Sequence, residues 1–286
     1  MSDKKIIITI PTYNAERYIK KLVKELRSQT IAPIITIIDS SSEDKTYNLL
    51  GSLSVETIKI AKKDFNHAIT RNMALNYDAD FYLFMTQDAL PYDSNLIKNL
   101  IKPFDDKSIV VSYARQMPYE NADAIERFAR NTNYPEVSSV KSKDNLSSLG
   151  IKTFFCSNSC AMYRASYFKE VGGFTDGLNT NEDMEFAARA IMAGKKIAYA
   201  AEAKVWHSHT QTAKDLYKRY KNIGQFFSEN SWILDEVNKH SSAESTGIKQ
   251  AKKELKHLLK YNPILIPKSI LFSLVKYIGF RNGKNN

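Results

Sequence analysis

The feature that most constrains the fold is an alternation near the N-terminus, where short apolar runs trade places with longer stretches of helical period. Residues 5–10, 34–39, 55–60 and 81–86 are short and rich in β-branched or aromatic side chains, so they predict strands. Residues 16–28, 43–50 and 67–77 carry helical spacing between them. Parallel neighbours require crossovers, so the series predicts an α/β fold: a Rossmann-like mixed, mostly parallel sheet flanked by helices. Downstream, 109–114, 154–163 and 197–205 read as further strands, and 122–130, 181–193, 214–227 and 243–261 as helices. The stretch 131–150, rich in Asn, Ser and Lys, reads as a mobile loop, and Gly172-Gly173-Phe174 as a turn.

With 286 residues and 43% hydrophobic content, the chain can bury one large core with an appendage. Cys156 and Cys160 are the only cysteines, which excludes a disulfide scaffold and is a poor basis for structural zinc. A reducing cytoplasm is expected, because the polar start and the apolar run 6–10 fall far short of a signal peptide.

The net charge of +10 is concentrated at the C-terminus: from residue 210 onward there are 14 Lys/Arg against 6 Asp/Glu, a local balance of +8. That shift suggests two units, an α/β domain at 1–209 and a basic helical extension at 210–286. Charge alone does not choose between nucleic acid, an acidic partner and anionic lipid, but no nucleic-acid reader motif is present. The apolar stretch 263–278 reads as amphipathic and as too short and too interrupted by Pro and Lys to cross ~30 Å of hydrocarbon. It is expected either to lie on an anionic membrane surface or to dock on the protein's own core.

Chemistry-bearing residues recur where strands end. The first strand leads into Pro11-Thr12-Tyr13-Asn14 with neither GxGxxG nor GxxxxGK[ST], which disfavours a dinucleotide dehydrogenase or a P-loop NTPase. Asp39 ends the second strand, Thr86-Gln87-Asp88 ends a later one, and Asn181-Glu182-Asp183 opens a helix. Ligands of open α/β sheets bind beyond the carboxyl ends of the strands, so these distant residues are expected to share one site.

The series PTYN, Asp39-Ser40-Ser41-Ser42, the QD pair, GGF and Glu182-Asp183 resembles the family 2 inverting glycosyltransferases, which have the GT-A fold. The likeness covers roughly residues 4–210. Residues 64–72, 86–91 and Trp206-His207-Ser208-His209 are similar to the branch that transfers rhamnose from dTDP-rhamnose. The resemblance implies a dTDP- or UDP-sugar donor, a lipid-linked saccharide acceptor in surface polysaccharide biosynthesis, and work at the inner face of the cell membrane. One departure is that a full Asp-x-Asp metal motif would place an acid where this chain has Thr86.

Each group can be given a task. A departing diphosphate needs a cation, and Asp88 is the expected anchor for Mg²⁺ or Mn²⁺. His207 and His209 would join it, since an HxH pair on a strand points both rings to one face. Asp39 can accept the imide N–H of uracil or thymine, or else cap the loop behind it. Pro11, Thr12, Asn14 and Gln87 would line the nucleotide pocket, and Arg71 would reach the diphosphate or remain a surface charge. Asn66, His67 and Trp206 are candidate sugar or acceptor contacts, as is Ser157-Asn158-Ser159. Asp183 is the expected general base and Glu182 its neighbour in orienting or binding, against the plainer possibility of acids favoured by a helix N-terminus. Two other functions fit the same residues: transfer of a different UDP- or dTDP-sugar, and a non-catalytic nucleotide- or glycan-binding module recruited to membranes.

Overall fold

The computed structural model describes residues 4–178, 180–209, 211–240 and 243–285. Its strands are β1 (Ile6–Thr12), β2 (Ile34–Asp39), β3 (Glu56–Lys59), β4 (Phe81–Met85), β5 (Leu90–Pro91), β6 (Ile109–Met117), β7 (Ser139–Lys141), β8 (Cys160–Arg164) and β9 (Lys196–Trp206). They form one sheet in the order β3-β2-β1-β4-β8-β6-β9-β5, with β7 also paired to β9.

The alternation of side chains along the strands explains why both faces are covered. In β4, Tyr82 and Phe84 enter one core cluster while Phe81, Leu83 and Met85 enter the other. The helix Ile19–Arg27 buries Ile19, Leu22, Val23 and Leu26 on the second face, at the spacing of a single helical stripe. On the first face Phe84, Tyr163, Phe168, Phe174 and Phe186 form an aromatic knot with ring centroids 5.0–5.6 Å apart. Phe186 lies in the helix Glu182–Met192, so the knot fixes the position of that helix.

The expected mixed sheet is present, with more antiparallel pairing than a βαβ series implies. Strands β3, β2, β1 and β4 run parallel, but β8 is antiparallel to both β4 and β6. Three expectations are corrected. Residues 131–150 are not a loop: they hold the end of the helix Ala124–Asn133, the edge strand β7, a 3₁₀ turn at Lys143–Asn145 and the helix Leu146–Leu149. His207 and His209 lie just past the end of β9 rather than on it. The stretch from Pro263 to Lys284 is helical over 22 residues, long enough at ~1.5 Å per residue to match the hydrocarbon thickness, so shortness does not exclude spanning.

The C-terminal helices are welded to the rest of the molecule. Phe226 and Phe227 of the helix Ala213–Glu229 and Ile233 and Val237 of the helix Ser231–Asn238 belong to the same apolar cluster as Phe84 and Tyr163. Lys268 Nζ meets Asp123 Oδ2 at 2.6 Å at the start of the helix Ala124–Asn133.

Candidate active site

Three groups of residues converge beyond the carboxyl ends of β1, β2 and β4. The first surrounds Asp39, which pairs in register with Thr12 and is fully buried. Its carboxylate accepts from Thr12 Oγ1 (3.3 Å), Ser42 Oγ (2.5 Å) and the Ser42 backbone N–H (3.0 Å). Asn14, held at φ 51°, ties the facing loops together: its N–H donates to Ser42 Oγ and its Oδ1 accepts from the Glu43 N–H, each at 2.9 Å. Pro11 sits one residue inside, opposite Ile38. Gln87 clips the β1 turn to the β4 loop, accepting the Tyr13 N–H (2.8 Å) and donating to the Tyr13 carbonyl (3.1 Å). Its amide is thereby committed to structure.

The second group is Asp88, His207 and His209, whose ligand atoms all lie within 4.8 Å of one another. His207 Nε2 is 3.4 Å from Asp88 Oδ1, His209 Nε2 is 3.5 Å from Asp88 Oδ2, and the two Nε2 atoms are 2.9 Å apart. Burial works against ionisation of Asp88, but hydrogen bonding and charge from His207, and charge from His209, hold its carboxyl well below the usual range. Two imidazole nitrogens this close repel unless a proton or a cation lies between them.

The orientation of His207 is set by Gln116. Gln116 Oε1 accepts from His207 Nδ1 at 2.8 Å and also from the Arg130 guanidinium. Since Arg130 can only donate, that atom is the amide oxygen, and His207 Nδ1 must carry the proton. The lone pair is then on Nε2, facing Asp88 and His209, as metal-binding histidines require. The donor set of one carboxylate and two imidazoles therefore fits a divalent transition metal and supplies the donor atoms that Thr86 does not.

The third group lies at the start of the helix Glu182–Met192. Asp183 is partly exposed, and its oxygens accept the backbone N–H of Asn158 (2.9 Å) and of Met184 (2.8 Å). Burial of the carboxyl among its neighbours, and then the charge of Glu182, push it up to about 7 against those two hydrogen bonds. Glu182 is buried against Arg71 (3.2 Å) and accepts from Asn158 Nδ2 (3.0 Å). Arg71 is itself buried and also meets His67 Nδ1 at 3.0 Å. Arg71 is therefore not a surface charge: it is the counter-ion of Glu182. Burial and then the Arg71 charge lower His67 from its ordinary value, so it is neutral near pH 7.

Asn66 caps the helix His67–Asn72, accepting from the Ala68 and Ile69 N–H groups, and donates to the Leu178 carbonyl at 2.9 Å. Gly173 (φ +80°) is required next to it, because a Cβ there would strike the Asn72 side chain. Asn72 in turn pairs with both backbone groups of Phe174. Trp206, at the end of β9, stacks on Tyr119 at 6.0 Å and lies 5.2 Å from Tyr92.

A continuous path joins the three groups. It runs from Asp39 through Thr12, Tyr13 and Gln87 to Asp88, then through His207 and Gln116 to Ser157 (2.9 Å), whose neighbour Asn158 holds Asp183. Gln116 has no motif to announce it. The available signal is a buried polar pair, Arg115-Gln116, continuing the apolar β6 pattern to the carboxyl edge of the sheet. Ser42, by contrast, stood in the Asp39-Ser40-Ser41-Ser42 series, though not as a partner of the Asp39 carboxylate.

Residues 7–172 match the Glycosyl transferase family 2 pattern, and residues 117–231 match Glycosyl transferase family group 2. The chain is 41% identical over 285 residues to the O-antigen chain rhamnosyltransferase RfbN of Salmonella typhimurium, spanning 98% of this chain and 90% of that protein. It is 39% identical to the O-antigen chain rhamnosyltransferase WbaN of Salmonella anatum, over 97% and 89% of the two chains. Among solved structures, residues 1–349 of Staphylococcus aureus TarS match with a TM-score of 0.59 at 17% identity, over 98% of this chain and 90% of that one. The mannosyltransferase PcManGT of Pyrobaculum calidifontis, solved with GDP-Man and Mn²⁺, matches at 0.64 and 13% identity, over 97% and 87%. The sheet and its flanking helices are thus the GT-A architecture.

Proposed function

Because this chain belongs to glycosyl transferase family 2 and is a glycosyltransferase, we propose that it moves rhamnose from dTDP-rhamnose to a lipid-linked saccharide, by inversion, in surface polysaccharide biosynthesis. Two named rhamnosyltransferases related over nearly its whole length support the sugar. One structural observation supports the chemistry: the Asp88-His207-His209 set and the raised carboxyl of Asp183 face the same hydrogen-bonded frame.

Asp39 reads the pyrimidine. Its oxygens retain acceptor capacity beyond the bonds from Thr12 and Ser42, and a base that reaches it must displace part of the Ser42 loop. Asp88, His207 and His209 would hold a divalent cation, with Mn²⁺ favoured over Mg²⁺ because two of the three donors are imidazoles. When bound there, a cation would supply positive charge for the departing diphosphate.

Asp183 takes the proton from the acceptor hydroxyl as that oxygen attacks the anomeric carbon. Its two backbone hydrogen bonds fix the carboxylate, and a value near 7 lets it be ionised yet basic at working pH. Glu182, held by Arg71 and Asn158, keeps that value high and orients the start of the helix. Attack opposite the diphosphate inverts the anomeric centre without a glycosyl-enzyme intermediate. A lipid-linked acceptor puts the work at the inner face of the cell membrane.

A donor screen tests the proposal. Purified protein with Mn²⁺ should release nucleoside diphosphate from dTDP-rhamnose, by slow transfer to water, at least about tenfold faster than from UDP-glucose, UDP-GlcNAc or GDP-mannose. Faster release from one of the others would reassign the sugar.

A further inference from the structure

The C-terminal helix is packed inside out. In a helix docked in water the large apolar side chains face the protein; in Ile266–Lys284 the buried positions are Ser269, Gly279 and Gly283. Gly279 and Gly283, four residues apart, lie against the helix Ala213–Glu229, whose Gly224 lies against them in turn. A Cβ at Gly224 would run into the Phe280 carbonyl, and one at Gly283 into the Lys221 carbonyl. The two backbones therefore touch. Ser269 Oγ donates to Glu254 at 2.5 Å and Asn282 Nδ2 to Tyr217 Oη at 3.0 Å, which fixes the rotation of the helix about its axis.

What this rotation turns outward is a stripe: Ile270, Leu271, Leu274, Tyr277 and Ile278 are 45–61% exposed, and exposed Arg281 continues the same row. Phe280 packs inward on Phe227, but along the rest of the seam small residues face protein and large apolar residues face away, the packing of helices whose outer solvent is lipid. Crossing a bilayer would draw its packing partners in with it. The helix Ala213–Glu229 that runs against it carries Lys214, Lys218, Arg219 and Lys221, and Lys268 is tied to Asp123, so neither partner can follow it into hydrocarbon.

We infer that this stripe is the membrane-seating face of the protein: the helix lies in the plane of an anionic leaflet, its apolar row in the acyl boundary and its cations among the headgroups. The +8 balance of residues 210–286 selects an anionic lipid surface over a second copy of this chain, which would bring like charge against like charge. The proposed lipid-linked acceptor supplies a reason for such seating, but the geometry of the face stands without it.

The test is sedimentation with vesicles of phosphatidylcholine alone and of phosphatidylcholine with phosphatidylglycerol, at low and high salt. Wild type should partition to the anionic vesicles, less so as salt rises, and Leu271→Glu/Leu274→Glu/Ile278→Glu should lower that partition by at least about tenfold while thymidine diphosphate binding is retained. Unchanged partition in the triple variant, or conversion of a dimer to a monomer with no vesicle binding by wild type, overturns the inference. Should the triple variant not fold, Tyr277→Trp decides: quenching of its fluorescence by brominated lipid supports in-plane insertion, and no quenching refutes it. Wild type that turns over donor yet ignores vesicles would sink the seating face and leave the transferase intact.

Discussion

Asp183→Asn is expected to lower turnover by on the order of 10²–10⁴-fold while nucleoside diphosphate binding persists, because it removes the one proton acceptor held at the site by two backbone N–H groups. The same group sets the acid limb of the pH profile. Since burial and Glu182 push Asp183 up to about 7, wild-type turnover should fall about tenfold per pH unit below that value, and the limb should vanish in the variant. The substitution should also stabilise the protein. A carboxyl that is raised on folding ionises first in the unfolded chain, so stability drains away as pH rises from the ordinary carboxylate range to about 7 and stays low above it. Asp183→Asn should therefore melt higher than wild type at pH 8, with the gap closing as pH falls toward 4. A variant both inactive and less stable at pH 8 would mean that Asp183 is a structural residue.

Asp88→Asn carries the second large effect. It takes the only carboxylate from a set whose other members are imidazoles, so a divalent cation loses a negative charge as well as an oxygen donor. Turnover should drop on the order of 10²-fold or more, and titration with Mn²⁺ followed by electron paramagnetic resonance should show at least about tenfold weaker binding. Equal Mn²⁺ affinity in the two proteins would remove Asp88 from the ligand set. The role of Thr86 follows from the same geometry: the donor that a second acid would bring is replaced by His207 and His209, just past the end of β9.

How much of this was legible beforehand depends on whether the cause is local. Strands β1, β2 and β4 were readable because they are buried on both faces and so are largely apolar, whereas β3, Glu56–Lys59 at the sheet edge, is polar and was placed by its position in the alternating series. β7 was not, because an edge strand of three residues, Ser139–Lys141, is polar on its own and is defined only by pairing with β9. The acids were found because they stand at strand ends, where ligands bind. Gln116 was not, because it acts through His207, 91 positions away; Ser42 was named in the motif, but its bond to Asp39 is set by the fold of their loop. Arg71 illustrates the opposite limit. Its charge suggested a ligand or solvent, and only tertiary structure revealed Glu182 as its partner.

The C-terminal helix shows the same division. Composition marked it as apolar and basic, but which side faces out is decided by three glycines, two on one helix and one on another. An apolar stripe and a close-packed seam cannot be distinguished by counting hydrophobic residues.

The central claim, that Asp39, Asp88 and Asp183 serve one site, is tested most directly by calorimetric titration of thymidine diphosphate with Mn²⁺ into wild type and into Asp39→Asn, Asp88→Asn and Asp183→Asn. The first two substitutions should each weaken binding by at least about tenfold, for loss of the base contact and of the cation, while Asp183→Asn leaves it unchanged. Identical affinity in wild type, Asp39→Asn and Asp88→Asn would contradict the account.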